Sequence, residues 1–243
     1  MRPSTNPRPK HDRKPLCSAL VRSARKSRPA HEQPNVCRPI AGPRPLGRTS
    51  GTLSFYKDNA REFYASTANL KAHNLYVPFL KELSPGSRIL DAGCGSGRDA
   101  KAFKAQGFAV EAVDASPELA RLASRLIGQT CQIASFQQID FRSEFDGIWA
   151  CASLIHVPGS EIRGVLRRLA RALKPSGVLY VSLKEGHGEK VLTDGRFFNY
   201  YTSTEFKQLL TADGLFEILN IWKTKALDSS GQTWLNFLAR KSE

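Results

Sequence analysis

The spacing of apolar positions changes several times along the chain. Residues 1–50 show no apolar period. From Thr52 onward, Phe55–Ala65 and Ala68–Leu83 read as two helices, the second closed by Pro85–Gly86. Short apolar runs then alternate with amphipathic stretches. Arg88–Ala92 predicts a strand ending in a glycine-rich turn, and Arg98–Gln106 a helix stopped by Gly107. Phe108–Asp114 alternates as a strand does. Ser116 is placed to cap a helix with Pro117 at its first position, running to Ile127 before Gly128. Thr130–Ala134 is a weak strand and Phe145–Ala152 a strong one. In Ser160–Leu173, the residues Ile162, Val165, Leu166, Leu169 and Leu173 share one helical face.

Gly177–Leu183 predicts a further strand, and Thr202 and Glu205 form a capping box for a helix through Leu210. Phe216–Lys225 and Gln232–Arg240 close the chain as two strands joined by Asp228–Ser229–Ser230–Gly231. Alternation of strand and helix predicts an α/β fold with a mainly parallel sheet covered on both faces. The short closing turn requires its two strands to be antiparallel. The longest near-apolar run, Ile148–Ile155, is far shorter than the roughly 20 residues that span a bilayer, so no membrane segment is expected.

Composition changes the picture mainly at the N-terminus. The 243 residues carry a formal net charge of +14. Residues 1–50 hold nine Arg and three Lys against Asp12 and Glu32, a net of +10, and also nine of the 14 prolines. Such a segment buries too little apolar surface to offset its ordering, so 1–50 is expected to be a disordered basic extension ahead of a domain over 51–243. A non-functional extension is the first reading of it and weak, nonspecific nucleic-acid binding the second. The five cysteines form no CxxC pair. That excludes a disulfide framework and gives no metal site, and it fits reduced thiols in a cytoplasmic protein.

The chemistry concentrates at Asp91-Ala92-Gly93-Cys94-Gly95-Ser96-Gly97, where a strand meets a helix through glycines. Glycine lets a ligand approach the backbone closely, and the helix start offers free N–H groups. The spacing is GxGxG rather than the GxGxxG of dinucleotide sites. Asp91, two residues ahead of the first glycine, would repel a pyrophosphate and welcome a cationic amine. A nucleoside with a positive tail therefore suits the turn better than NAD.

These residues resemble motif I of the class I S-adenosylmethionine-dependent methyltransferases. Phe145–Val157 is similar to that family's motif IV strand, and the closing antiparallel pair to the end of its sheet. The likeness covers about Leu53–Arg240, nearest to small bacterial methyltransferases of the tellurite and ubiquinone-pathway types; the basic extension is no part of it. It implies a Rossmann-like three-layer sandwich around a seven-stranded sheet. It also implies S-adenosyl-L-methionine as cofactor and a small-molecule acceptor, with no obligate protein partner.

By the same resemblance, Gly93, Cys94 and Gly95 would cradle the methionine part of the cofactor, with Asp91 near its amine. Asp114, with Ala115 beside it, would take the ribose hydroxyls. Gln138 and Ile139 would meet adenine, and the Cys151 backbone would lie beside the sulfonium. Tyr56, Asn59 and Tyr64 would belong to a lid over the site. Other roles stay open: Asp91 as an orienter of the turn, Cys94 and Cys151 as small packing residues, and Arg98 as a solvated helix start.

His156 is the candidate general base, with a rim histidine as the alternative. Arg196, Tyr200 and Tyr201, in the segment Lys184–Tyr201, are candidate acceptor contacts, and an arginine there suits an anionic acceptor. RNA methylation and non-catalytic nucleoside sensing are the competing readings.

Overall fold

The structure is a computed structural model that describes residues 49–226 and 231–242. The expected extension lies outside these residues up to position 48, as does most of the closing turn. Seven helices and nine strands follow in chain order among the described residues: α1 (Ser50–Asp58), α2 (Ala60–Thr67), α3 (His73–Leu80), β1 (Arg88–Ala92), α4 (Arg98–Ala105), β2 (Ala109–Asp114), α5 (Pro117–Ile127), β3 (Gln132–Ile133), β4 (Phe145–Cys151), α6 (Gly159–Ala172), β5 (Leu173–Lys184), β6 (Gly188–Val191), β7 (Phe197–Tyr200), α7 (Ser203–Thr211), β8 (Phe216–Lys225) and β9 (Thr233–Lys241).

The main sheet has seven strands in the order β3-β2-β1-β4-β5-β9-β8. The first five run parallel, and β9 is antiparallel to both β5 and β8. Its central strands are buried on both faces, as a parallel sheet requires. On one face Leu90, Ile148, Leu179 and Val181 pack against Ile162, Val165, Leu166 and Leu169 of α6. On the other, Ile89, Val178 and Tyr180 pack with Phe79, Phe103 and Trp149. Trp149 and Tyr180 stack there at 3.7 Å between ring centroids. The strand order reverses between β1 and β4, and ligands of open α/β sheets bind at the carboxyl ends beside that point.

The local signals read as capped helix starts are in place. The Ser116 side chain accepts from Leu119 N, and Thr202 and Glu205 cap each other across the start of α7. Three expectations are corrected. The helix drawn over Phe55–Ala65 is two helices, because the Asn59 side chain donates to the Phe55 carbonyl and competes with the helical pattern. The helix drawn over Ala68–Leu83 is helical only over His73–Leu80, ending two residues after Pro78, which has no N–H to donate. The segment after β5 is not an irregular loop, since β6 and β7 pair in an antiparallel hairpin with Val191 opposite Phe197.

Candidate functional site

A cavity of about 1310 Å³ opens at the carboxyl ends of β1, β2, β4 and β5, with α1 and α2 along one wall. Pockets for one small ligand are usually about 300–1,000 Å³, so this one has room for two.

Its floor is the turn after β1. Gly93 and Gly95 adopt φ of +78° and +55°, which side chains rarely tolerate. A Cβ on Gly93 would lie 2.5 Å from Cβ of Ser153, whose hydroxyl donates to the Ala92 carbonyl. The turn is fastened to β2, with the amides of Gly93 and Cys94 both donating to the Val113 carbonyl at 2.9 Å. The Asp114 carboxylate accepts from Gly95 N on one oxygen and from Ser116 N on the other, each at 2.8 Å. Burial raises its pKa against the pull of those two bonds. The carboxylate lines the cavity and keeps lone pairs for a ligand.

Asp91 lies elsewhere. It is buried, its carboxylate accepts from Ala100 N of α4 at 3.0 Å, and it is not part of the cavity wall. Burial first, and Asp99 second, push its pKa well up. This geometry is that of an orienter for the start of α4. The Cys94 thiol meets Cys131 at 3.3 Å, and burial pushes the Cys151 thiol up to about 12, so packing is what both do.

Ala115, Gln138 and Ile139 line the cavity together with Phe136. Part of Gln138 is already engaged, because its side-chain oxygen accepts from Ser135 N and caps the short turn it belongs to. Beyond β4, Ala152 holds φ +54° with its N–H on Ser182 Oγ at 2.8 Å, a strained residue at the cavity wall.

The upper wall joins α1 to the β6–β7 hairpin. The Tyr56 hydroxyl lies 3.0 Å from His156 Nε2, and His156 Nδ1 lies 2.7 Å from the Phe197 carbonyl. A carbonyl only accepts, so Nδ1 carries the proton, Nε2 is the acceptor, and the tyrosine donates. Burial, joined by Arg196 and Lys184, lowers His156 to about 4, and burial pushes Tyr56 up to about 12. Arg196 lines the cavity, stacks over Phe55 at 4.2 Å, and pairs with Asp194 through Nε and Nη2 at 2.9 and 2.7 Å.

Tyr200 and Tyr201 do not reach the cavity wall. The Tyr201 hydroxyl accepts from Asn199 Nδ2 at 2.6 Å, so its polar end is satisfied inside the hairpin. Of the two residues read as lid partners of Tyr56, neither Asn59 nor Tyr64 lines the cavity; Phe63 does, edge-on to Tyr56 and under the position a Gly95 side chain would fill. Phe63 is one position from Tyr64 and seven from Tyr56, a spacing that puts it on the same helical face as Tyr56.

Lys184, Phe198 and Trp234 complete the far wall, with Lys184 Nζ 4.1 Å from the Phe198 ring centroid. Lys184 and Trp234 were not singled out by sequence. Register brings them together, since Lys184 pairs with Trp234 across β5 and β9. Arg98, read as a solvated helix start, is mostly buried at the cavity wall and paired with Asp99. No helix among the described residues is long and apolar enough to cross a membrane, and they contain no metal-binding cluster of His, Cys, Asp or Glu.

Residues 89–177 match the family described as methyltransferase domain. The ubiquinone biosynthesis O-methyltransferase of Xanthomonas campestris pv. campestris (strain B100) is 33% identical over 110 residues, which is 40% of this chain and 43% of that protein. The enzyme of the same description from Xylella fastidiosa (strain 9a5c) is 37% identical over 109 residues, 40% of this chain and 42% of its own. The chain thus spans under half the length of the curated relatives it matches.

Among solved structures, the 1,6-didemethyltoxoflavin-N1-methyltransferase of Burkholderia thailandensis, holding 1,6-didemethyltoxoflavin and S-adenosylhomocysteine, superposes with a TM-score of 0.70. The match covers 84% of this chain and 94% of that one at 24% identity. A methyltransferase of the same cofactor class from Methanosarcina mazei gives a TM-score of 0.60 at 23% identity, covering 71% and 99%. At these identities the structures share the fold.

Proposed function

We propose that this chain, a member of the class I S-adenosylmethionine-dependent methyltransferases, transfers a methyl group to a small-molecule acceptor bound in the same cavity. The observation that carries the reading is the Gly93–Gly95 turn held against the Asp114 carboxylate at the cavity floor. A carboxylate with spare lone pairs suits a pair of vicinal hydroxyls, and a turn whose two glycines carry no side chain, with the Cys94 thiol turned to Cys131, admits a thioether chain against backbone. The residues present therefore fit the cofactor: Asp114 for its ribose, Phe136 and Ile139 for a flat base, and Gly93–Gly95 for its amino-acid arm.

When bound, the cofactor supplies a methyl group already activated on a sulfonium. The protein's task is then placement. Holding a nucleophile in line can supply roughly 7–11 kcal/mol of the barrier. The aromatic far wall of Phe198 and Trp234 gives the acceptor a surface to lie on, and Arg196 and Lys184 give that end of the cavity positive charge. The acceptor we assign is small and anionic. His156, near 4, is a weak base at neutral pH, and Tyr56 already occupies its Nε2 lone pair. The pair orients the acceptor through the tyrosine oxygen, and placement rather than proton abstraction carries the rate.

Titration with S-adenosylhomocysteine and with NAD tests the cofactor half of the reading. Tight binding of the first and none of the second is expected, and the reverse would end it. The acceptor half is tested by growing cells with and without the protein on methyl-labelled methionine and seeking a labelled small metabolite present only with it. Label found only in RNA would replace this reading.

A further inference from the structure

Among the described residues, the carboxylates and imidazoles that line the cavity are Asp99, Asp114, His156, Glu161 and Glu189. Each is engaged. Asp99 is 7% exposed and accepts from Tyr76 Oη and Arg98 Nε at 2.6 Å and from Trp149 Nε1 at 2.8 Å. Asp114 holds two backbone amides at the cofactor end. Glu161 and Glu189 are exposed, and accept from Gln137 Nε2 at 2.6 Å and from Gly159 N at 2.8 Å. His156 Nε2 accepts from Tyr56, and the Tyr56 oxygen in turn takes a hydrogen bond from Arg196. That chain runs one way, from Arg196 through Tyr56 and His156 to the Phe197 carbonyl. Taking a proton from a ligand would reverse it.

The charge at the acceptor end has the opposite sign. Arg196 and Lys184 line the cavity, while Asp194, which pairs with Arg196, does not. Lys184 Nζ lies 4.1 Å from the Phe198 ring centroid and 5.8 Å from that of Trp234. A neutral hydroxyl or a protonated amine must shed a proton to react, and no buried carboxylate or imidazole is placed to take it. A cationic amine would also be repelled by Arg196 and Lys184. An oxygen ionised before it arrives meets neither obstacle. Its charge and the sulfonium's cancel as the methyl moves, and cancelling charge loses less solvation against the rings of Phe198 and Trp234 than in water.

We infer that the acceptor's nucleophile is itself the anion: an oxygen acid on a flat molecule, entering as a carboxylate or as an acidic hydroxyl already ionised. This rests on the reading of the cavity as a methyl-transfer site for a small anionic acceptor. In the step, a lone pair of the oxyanion forms the C–O bond, and the S–C bond breaks with its electron pair staying on sulfur. Sulfonium and oxyanion become thioether and ester or ether, and no proton changes hands. The product has lost the charge that Arg196 and Lys184 attract, which favours its release.

Two measurements test this. In the first, the complex with S-adenosylhomocysteine is titrated with benzoate and 4-nitrophenolate, at a pH where both are ionised, and with their methyl derivatives, methyl benzoate and 4-nitroanisole. Each anion should bind at least about tenfold more tightly than its methyl derivative, and in Arg196→Met and Lys184→Met that preference should shrink to within about twofold. Equal affinities in the wild type, a preference kept in both variants, or no binding of either anion at about 10 mM overturns the inference. The second measurement reads which bond carries the label in the small metabolite recovered by methyl labelling. Label on oxygen is expected, and mild alkali separates the two sources, releasing labelled methanol from an ester and none from an ether. Label on nitrogen, carbon or sulfur overturns the inference. Should the variants fail to fold, the wild-type titration and the labelled bond still decide. Protein that binds no S-adenosylhomocysteine, or label found only in RNA, would instead end the reading on which the inference rests.

Discussion

The Tyr56 hydroxyl donates to Nε2 of His156 at 3.0 Å, while Nδ1 of the same ring donates to the Phe197 carbonyl at 2.7 Å. One imidazole thus ties α1, the turn after β4 and the first residue of β7 together over the cavity. In the neutral form Nε2 accepts and Nδ1 donates. A proton added at Nε2 would turn that nitrogen into a donor, force the tyrosine hydroxyl to turn and accept, and place a charge beside Arg196 and Lys184.

Stability should therefore depend on pH through His156. Its pKa is about 4 in the folded protein and near 6.5 in an unfolded chain. As pH falls, the unfolded chain takes the proton first, so this stabilisation is complete above about 6.5 and is lost as pH falls towards 4. The loss has an upper bound of roughly 3 kcal/mol. Denaturant unfolding at about pH 7 and pH 4.5, on wild type and His156→Gln, isolates it from the carboxylates, which titrate in both. The wild type should lose more stability than the variant between the two conditions. Equal losses would mean that the histidine is solvated in solution.

Asp114 and Asp140 make a second contrast. Asp114 is buried at the cavity floor on two backbone amides, whereas Asp140 is exposed and paired with Arg171. Asp114→Ala should weaken S-adenosylhomocysteine roughly ten- to a hundredfold, the worth of about 1.5–3 kcal/mol in hydrogen bonds to a charge. Asp140→Ala should leave affinity within about twofold, because an exposed ion pair contributes little. Calorimetric titration of both variants decides the matter, and equal losses would detach the ribose role from Asp114.

Gly93 and Gly107 both hold positive φ, at +78° and +88°, but only Gly93 is crowded. A Cβ there meets Ser153 at 2.5 Å, while at Gly107 nothing lies within 4 Å. Gly107→Ala should cost only the left-handed strain of about 1–2 kcal/mol and leave S-adenosylhomocysteine binding intact. Gly93→Ala adds a clash that must shift either the turn or Ser153. Its Tm should fall by roughly 5–10 °C, and cofactor binding should go with it. Thermal melts with and without S-adenosylhomocysteine separate the two, and a Gly93→Ala protein still stabilised by the ligand would show that the turn is not the floor of the site.

The parts legible in the sequence are those written in local chemistry. Ile89–Gly97, the cap at Ser116 and the capping box at Thr202 each carry their signal within a few residues, and all three fold as they read. The parts missed depend on partners far along the chain. Arg98 looked like a solvated helix start because Tyr76 and Trp149, which bury its neighbour Asp99, lie 23 and 50 residues from that aspartate. Lys184 meets Trp234 only through the register of β5 on β9. β6 escaped notice because Gly188–Val191 is exposed throughout and carries no alternation.

The hairpin gives the last prediction, since it sorts residues that the sequence grouped together. Arg196, Tyr200 and Tyr201 all belong to the segment expected to meet the acceptor. Arg196 reaches the cavity wall, with Asp194 and Phe55 holding its guanidinium in place. Tyr201 turns inward to Asn199, whose amide also donates to the Val157 carbonyl. Arg196→Ala should thus impair methyl transfer to the acceptor fraction recovered by methyl labelling, mainly by raising KM, while S-adenosylhomocysteine affinity stays within about twofold. Tyr201→Phe should do the opposite. Deleting one buried hydroxyl partner costs about 1–3 kcal/mol, so its Tm should fall by several degrees with KM unchanged. Steady-state kinetics and melts on the two purified variants test both halves. A Tyr201→Phe protein with normal stability and raised KM would place the acceptor on the hairpin's other face, and an unchanged KM in Arg196→Ala would leave that wall without a role in binding.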